Sequence, residues 1–151
     1  MRGWLLDTNV IAALGNPNGA PSVKNWAAGQ SEASLYLSIL TFGEYDKGIH
    51  NLAVDHPERS RYVAARDALE ARFAGRILSV DDAIVRRWGE ISGSTQRMTG
   101  RPPSVIDTLL AATALEHALF LVTRNTKDVQ HSGAAVFNPW KDDPAGFPLA
   151  I

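Results

Sequence analysis

Short apolar runs alternate along this chain with longer segments that have helical periodicity. The short runs are expected to form buried strands, and they lie at residues 4–7, 35–39, 76–80, 120–123 and 134–137. Helices are predicted at residues 9–14, from residue 21, at 42–52, after 57 to about 75, at 84–98 and at 105–118. Strands that alternate with helices favour a parallel sheet covered on both faces. The sequence therefore predicts an α/β domain, a three-layer α/β/α fold with a central, mainly parallel five-stranded sheet.

The chain is long enough for one domain. Its 151 residues fit a single core, which we place at residues 1–140, with a loosely held tail at residues 141–151. The absence of cysteine excludes disulfides, thiolate metal sites and cysteine nucleophiles. The most apolar stretch, residues 109–123, is interrupted by Glu116 and His117, so no membrane span is expected. Without a signal peptide pattern at the N-terminus, a cytoplasmic location is predicted.

Four acidic residues fall just after predicted strands or in the first turn of the next helix. They are Asp7, Glu44, Asp107 and Asp128. In open parallel sheets, sites form outside the carboxyl ends of the strands, so the four side chains are expected at one edge. Clustered carboxylates raise each other's pKa unless a cation neutralises them. An all-oxygen set favours Mg²⁺ or Mn²⁺, a combination suited to phosphodiester cleavage.

Each acid also has a purely structural interpretation. Thr41 to Glu44 and Ser104 to Asp107 match the capping-box pattern at a helix N-terminus, and Asn125 to Asp128 resembles it. Asp7 has the position of an N-cap for the helix at residues 9–14. For each acid taken alone, the structural and the functional interpretation stay open.

Two further patterns are interpreted as structural. The helix at residues 84–98 carries an apolar stripe, which is expected in the core or at an interface: Ile84, Trp88, Ile91, Thr95 and Met98. Asp81 is predicted to cap that helix. The four histidines have no metal-ligand spacing and are expected at the surface or at helix ends.

The sequence resembles the PIN-domain nucleases, specifically the VapC and FitB-type toxins of bacterial type II toxin–antitoxin pairs. The matching segments are LLDTNVIAAL (5–14), LSILTFGEYDKGI (37–49), GRILSVDD (75–82), IDTLLAATALEHALFLVTRNTKD (106–128) and AVFNPW (135–140). They cover nearly the whole chain in the family's order. The resemblance implies a Mg²⁺- or Mn²⁺-dependent ribonuclease. A catalytically silent PIN module that binds RNA or protein is the alternative.

Carried over residue by residue, the resemblance implies that Asp7 and Asp107 are the principal metal ligands. Glu44 would complete the cluster directly or through water. Relatives have the fourth acid at the position of Asn125 or at that of Asp128, so Asp128 is assigned this role here. Hydrogen bonds from neighbouring side chains would hold the carboxylates. The residues implied are Thr8, Thr123, Asn125 and Asn9, the last with N-capping as its alternative.

The resemblance also implies partners. A small antitoxin would inhibit the protein, place an arginine against the acids, and alone contact operator DNA. A homodimer is expected, with apolar contact from the stripe of Trp88 or from the stripe of Tyr62 on the helix after residue 57.

Basic residues are concentrated in the middle of the chain. Residues 59–101 hold nine arginines and five acids, a net charge of +4, whereas the remainder carries −5. Cations beside an acidic site would offset its repulsion of the RNA phosphates and help to position them. Arg101, which precedes the helix of Asp107, is the predicted RNA-binding residue. The alternative is that these arginines lie on solvated helix faces.

Overall fold

The centre of the protein is a five-stranded sheet. In the computed structural model, which describes residues 1–150, the strands are β1 (Gly3–Leu6), β2 (Leu35–Ser38), β3 (Ile77–Leu78), β4 (Leu119–Val122) and β5 (Val136–Phe137). Their order is β3-β2-β1-β4-β5, and every neighbouring pair is parallel. β1 and β4 are buried along their whole length, which is why each is a continuous apolar run.

Six α-helices cover the two faces of the sheet. They are α1 (Thr8–Gly15), α2 (Pro21–Ala28), α3 (Ile39–His50), α4 (Arg59–Arg72), α5 (Asp82–Thr99) and α6 (Val105–Glu116). Successive side chains of β1 point to opposite faces: Leu6 packs in the core formed with α1 and α2, and Leu5 packs against α6. α5 lies against the outer side of α6. The predicted three-layer α/β/α fold is confirmed, and the sheet is parallel throughout.

α3 begins three residues earlier than predicted. Ser38, the last residue of β2, caps the helix by accepting a hydrogen bond from the Leu40 amide at 3.0 Å. The strand therefore passes directly into the helix, and Thr41 lies inside it. The capping-box interpretation of Thr41 to Glu44 is wrong, because Glu44 lies in the second turn, where the amides are already paired within the helix.

α5 has the predicted cap, because the Ile84 amide donates to Asp81 Oδ1 at 2.9 Å. Ile84, Ile91 and Thr95 are buried as expected, but Met98 is 64% exposed. Of the two predicted locations of Met98, the core is excluded and an interface stays a prediction. An α-helix rotates by roughly 20° per heptad relative to an exact seven-residue repeat, so the stripe has turned away from α6 two heptads after Ile84.

The C-terminal segment is packed against the core. The ring of Phe147 lies 4.8 Å from that of Phe137 and 5.3 Å from that of Phe120, measured between centroids. The Ala150 amide donates to the Met1 carbonyl at 2.7 Å. The expectation of a loosely held tail is therefore wrong, since aromatic contacts to β4 and β5 hold this segment in place. None of the helices within residues 1–150 has the length and apolarity to cross a membrane.

Candidate active site

Asp7 directly follows β1 and is the most buried of the four acids. The residue is 94% shielded from solvent, and its amide donates to the Val122 carbonyl of β4 at 2.9 Å. The carboxylate accepts hydrogen bonds from the Thr8 amide (2.7 Å), the Thr123 hydroxyl (2.8 Å) and Asn9 Nδ2 (3.2 Å). The predicted capping role is confirmed, because the Thr8 bond caps α1. A cap needs only one of these three donors.

Burial raises the pKa of Asp7 above its usual value. The hydrogen bonds from Thr123, Thr8 and Asn9 lower it, and the charge of Glu44 raises it further. Burial dominates because an ionised carboxylate loses hydration that three donors replace only in part. A positive charge placed near this carboxylate would therefore favour its ionised form.

Thr123 connects the ends of β1 and β4. While its hydroxyl donates to Asp7 Oδ2, its oxygen accepts from Asn9 Nδ2 at 3.2 Å and from the Asn125 amide at 3.0 Å. Asn9 Oδ1 in turn accepts from the Arg124 amide at 3.3 Å. The predicted hydrogen bonds of Thr123 and Asn9 to the carboxylate are present. Asn9 is the second residue of α1, so its alternative role as N-cap is wrong.

Asn125 contacts this network through its backbone amide only. It is the N-cap of the 3₁₀ helix Thr126–Val129, and its exposed side chain makes no capping hydrogen bond. The capping interpretation of Asn125 to Asp128 therefore lacks the side-chain bond that defines it.

Thr8 joins Asp7 to Glu44. Its amide binds Asp7, and its hydroxyl donates to Glu44 Oε1 at 2.7 Å. The same hydroxyl lies 3.2 Å from that of Thr41, which is fully buried in the first turn of α3. Sequence reasoning missed this contribution of Thr41. The available signal was a threonine three residues before a candidate acid, but this pattern was interpreted as a capping box.

Asp107 lies in the first turn of α6 and is half-buried. Burial raises its pKa, the Ser104 hydroxyl lowers it, and the charges of Asp7 and Asp128 raise it. Ser104 is the N-cap residue of α6, yet its side chain makes no capping bond. Asp128 is exposed on the 3₁₀ helix 126–129. Asp107 is thus electrostatically coupled to the acids on either side of it.

The chemistry of this set fits a hard divalent cation. Within residues 1–150, none of the four acids forms an ion pair with lysine or arginine. In the same range, no three acidic or histidine side chains form a ready-made metal cage. Mg²⁺ binds proteins through one or two carboxylates and keeps several waters. Two carboxylates such as those of Asp7 and Asp107, which are near enough for the charge of Asp7 to raise the pKa of Asp107, fit that requirement.

Most of the arginines at residues 59–101 are engaged elsewhere. Six of the nine form ion pairs with acids outside the candidate site: Arg61, Arg66, Arg72, Arg76, Arg86 and Arg87. The interpretation as solvated helix faces is right for Arg61, Arg72 and Arg86, which are exposed on α4 and α5. It is wrong for Arg76, which lies in the turn before β3 with its side chain 17% exposed and donates to the carbonyls of Glu32 and Leu35. Arg101 is exposed and borders a cavity that also includes Asp128.

We predict that Thr123→Val destabilises the metal-free protein by about 1–3 kcal/mol, because it leaves the Asp7 carboxylate and the Asn125 amide short of partners. Thr113→Val is the matched control. Thr113 is equally buried, but its hydroxyl donates at 2.7 Å only to Leu109 O, a carbonyl in its own helix. Urea denaturation measures both variants, and equal losses would contradict a special role for Thr123.

A second prediction concerns pH. Because the pKa of Asp7 is raised in the folded protein, the folded state keeps its proton longer than the unfolded state does. Without metal, this group's contribution to the free energy of unfolding falls as pH rises from about 4, the unfolded pKa of aspartate, through the raised value. Glu32, whose pKa is lowered by Arg72, has the opposite effect.

A variant isolates the Asp7 contribution. In EDTA, the stability of Asp7→Asn minus that of the wild type is expected to become more positive as pH rises from about 4 to 7. Glu32 titrates in both proteins and cancels in this difference. Chemical denaturation at several pH values measures it, and a difference that is independent of pH would show that Asp7 is not perturbed.

The chain is similar to known proteins over nearly its full length. A profile of the PIN domain family matches residues 4–131. Toxin FitB of Neisseria gonorrhoeae is 32% identical over 138 residues, covering 91% of this chain and 99% of that protein. VapC ribonuclease Y4jK of Sinorhizobium fredii is 29% identical over 141 residues, covering 91% and 97%. The structure of FitAB bound to the IR36 DNA fragment aligns with a TM-score of 0.81 at 30% identity, covering 93% of this chain and 97% of that one.

Proposed function

The chain belongs to the PIN-domain family, and on that premise we propose that it is a divalent-metal-dependent endoribonuclease, the toxin of a type II toxin–antitoxin pair. The observation that carries the proposal is the buried Asp7 carboxylate, held by three donors and electrostatically coupled to Glu44 and Asp107. Relatives named a toxin and a ribonuclease, each aligned over nearly its full length, support it.

In this proposal Asp7 and Asp107 are the principal ligands of Mg²⁺ or Mn²⁺. Glu44 contributes directly or through water, and Asp128 takes the fourth position in place of Asn125. A bound divalent ion would lower the pKa of an attacking water and neutralise charge on the phosphate and the leaving oxygen. Thr8, Asn9 and Thr123 orient the carboxylates, so that little reorganisation is needed when the metal and the phosphate arrive.

The substrate is proposed to be single-stranded or looped RNA, whose backbone is accessible to a site at the edge of a sheet. The test is incubation of the purified protein with a structured RNA in Mg²⁺, in Mn²⁺ and in EDTA, alongside expression in a bacterial host. Cleavage that requires the metal, together with growth arrest, is expected. A protein that cuts no RNA in either metal and leaves growth unaffected would overturn the proposal.

The second candidate is a silent PIN module that binds RNA or protein without cutting. The lack of a ready-made cage of three acids within residues 1–150 favours it. Metal binding separates the two functions. For the nuclease, Mn²⁺ at about 100 times its dissociation constant stabilises the protein by about 2.7 kcal/mol, and the gain decreases at low pH because the carboxylates must be ionised. Unfolding that is unchanged by millimolar Mn²⁺ would favour the silent module.

An antitoxin is the proposed protein partner. Two adjoining cavities of about 230 and 260 Å³ lie between α1, α3 and α4, and Tyr45 borders both. One includes Glu44 and Tyr62, and the other is mainly apolar, with Ile11 and Leu69. A partner segment bound along this groove would reach the acids and place an arginine there. In the proposal, operator DNA is contacted only through the antitoxin.

A homodimer is also proposed. Trp88 is half-buried and packs between α5 and α6. The exposed apolar side chains left on α5 are Val85 and Met98, which lie on different sides of the helix, and exposed Tyr62 on α4 is the alternative contact for a second copy. Light scattering at micromolar concentration distinguishes a dimer from a monomer.

A further inference from the structure

A polar cavity of about 400 Å³ lies beside the acids, on the side of α6. It is bordered by the end of α5, the loop before α6 and the segment from Lys127 to Ser132. Asp128 and Ser104 belong to its wall, and Ser104 is the residue whose hydroxyl lowers the pKa of Asp107. The cavity therefore shares Asp128 with the candidate acid set.

The cavity combines cations with hydroxyl and amide groups. Arg101 and Lys127 border it, and neither forms an ion pair in the part of the chain that the structure describes. Thr95, which is buried, and Gln130 add polar groups to the wall. Unpaired cations beside a polar wall suit a ligand that carries both phosphate and hydrogen-bonding groups.

Part of the remaining wall is apolar, whereas Thr99, Thr108, His131 and Ser132 make the rest of it polar. Ile91, Pro102 and Pro103 contribute the apolar part, next to the cationic side chain of Arg101. Small-molecule sites have volumes of about 300–1,000 Å³, so a cavity of this size holds one nucleotide but not a folded peptide segment. The flat base of a nucleotide is compatible with the apolar surface of the prolines and Ile91. Its phosphate is compatible with the cationic side chains of Arg101 and Lys127.

We infer that this cavity binds a single nucleotide of the RNA, the one next to the phosphate that lies at the acids. Its own phosphate contacts Arg101 and Lys127, and its base and ribose face Ile91, Pro102 and Thr95. The inference rests on the proposed nuclease function, because it takes the acids as the cleavage site. It adds a subsite that selects which nucleotide flanks the cut.

The experiment uses Asp7→Asn protein in EDTA, so that binding is measured without cleavage. The probes are a short single-stranded RNA and the four 5′-mononucleotides. Arg101→Ala and Lys127→Ala are each expected to weaken RNA binding about tenfold and to reduce the salt dependence by about one unit of slope. Both side chains are exposed, so neither substitution threatens the fold.

Arg97→Ala is the matched control. Arg97 lies in the last turn of α5, forms no ion pair within residues 1–150 and does not border the cavity. It is expected to leave RNA binding within about twofold, since an exposed charge that does not border the cavity makes no direct contact with the nucleotide and is screened by salt. Equal effects of all three variants would show that only diffuse positive charge is involved, and would overturn the subsite.

NMR titration locates the mononucleotides. Chemical-shift changes at Thr95, Ser104 and Gln130 that are lost in Arg101→Ala would support the subsite, and changes confined to other surfaces would overturn it. Failure of the subsite and failure of the nuclease are distinguishable. RNA that is cut normally by Arg101→Ala and Lys127→Ala overturns the subsite alone, whereas a mononucleotide bound in this cavity by a protein that cuts no RNA overturns the nuclease alone.

Discussion

Asp7→Asn is expected to lower metal-dependent RNA cleavage on the order of a thousandfold, since even outer hydrogen-bond partners of a metal site contribute about 10–100-fold. The amide removes the negative charge on which the cation depends. It also places an N–H group at the position of Oδ2, which now accepts from Thr123 and Asn9. Asn9 Nδ2 then faces another donor and loses its acceptor, so the amide fits this hydrogen-bond network less well than the carboxylate does.

The fold itself is expected to survive this substitution. Asparagine is as good an N-cap as aspartate, and its Oδ1 still accepts from the Thr8 amide. Asp81→Asn is the matched control, because Asp81 caps α5 through the Ile84 amide and is not part of the candidate site. Cleavage rates and circular dichroism are measured for both variants. An Asp7→Asn enzyme with cleavage equal to that of Asp81→Asn would contradict the assigned role of Asp7.

The order of elements could be predicted from the sequence, because each element is specified locally. β1 and β4 are buried on both faces, and this burial is visible as two apolar runs. With parallel strands, both carboxyl ends must then meet at one edge, which brings Asp7 and Thr123 together across 116 positions of sequence. The position of the acids at this edge thus follows from topology.

Details that depend on a single side-chain choice could not be predicted. Both Ser38 and Thr41 are good caps by residue type, and the helix uses Ser38 because the chain turns directly out of β2. Packing of the tail depends on contacts between Phe147 and rings in β4 and β5. No local periodicity in a proline-containing segment reports such long-range contacts. The ion pairs of the arginines could not be predicted for the same reason. Arg72 and Arg76 both pair with Glu32, which is far from them in the sequence.

The aromatic cluster that holds the tail also supports the strands that carry the site. Phe137 is fully buried, and its ring lies 5.3 Å from Trp4, 5.2 Å from Trp26 and 4.8 Å from Phe147. Its carbonyl accepts from the Thr123 amide at 3.1 Å, which connects β5 to the residue that binds Asp7. A substitution at Phe137 is therefore expected to affect both the packing of the aromatic core and the position of Thr123 in the candidate site.

Phe137→Ala is expected to destabilise the protein by about 3–5 kcal/mol, the cost of lost burial plus the cavity left among rings that cannot close in. That is a large part of a typical stability of about 5–15 kcal/mol. Phe147→Ala removes the same side chain from a half-exposed position and is expected to cost less than half as much, since only its buried part is lost. Urea denaturation measures both variants. If the two losses were equal, Phe137 would not be the centre of the cluster, and the tail would contribute as much to the core as β5 does.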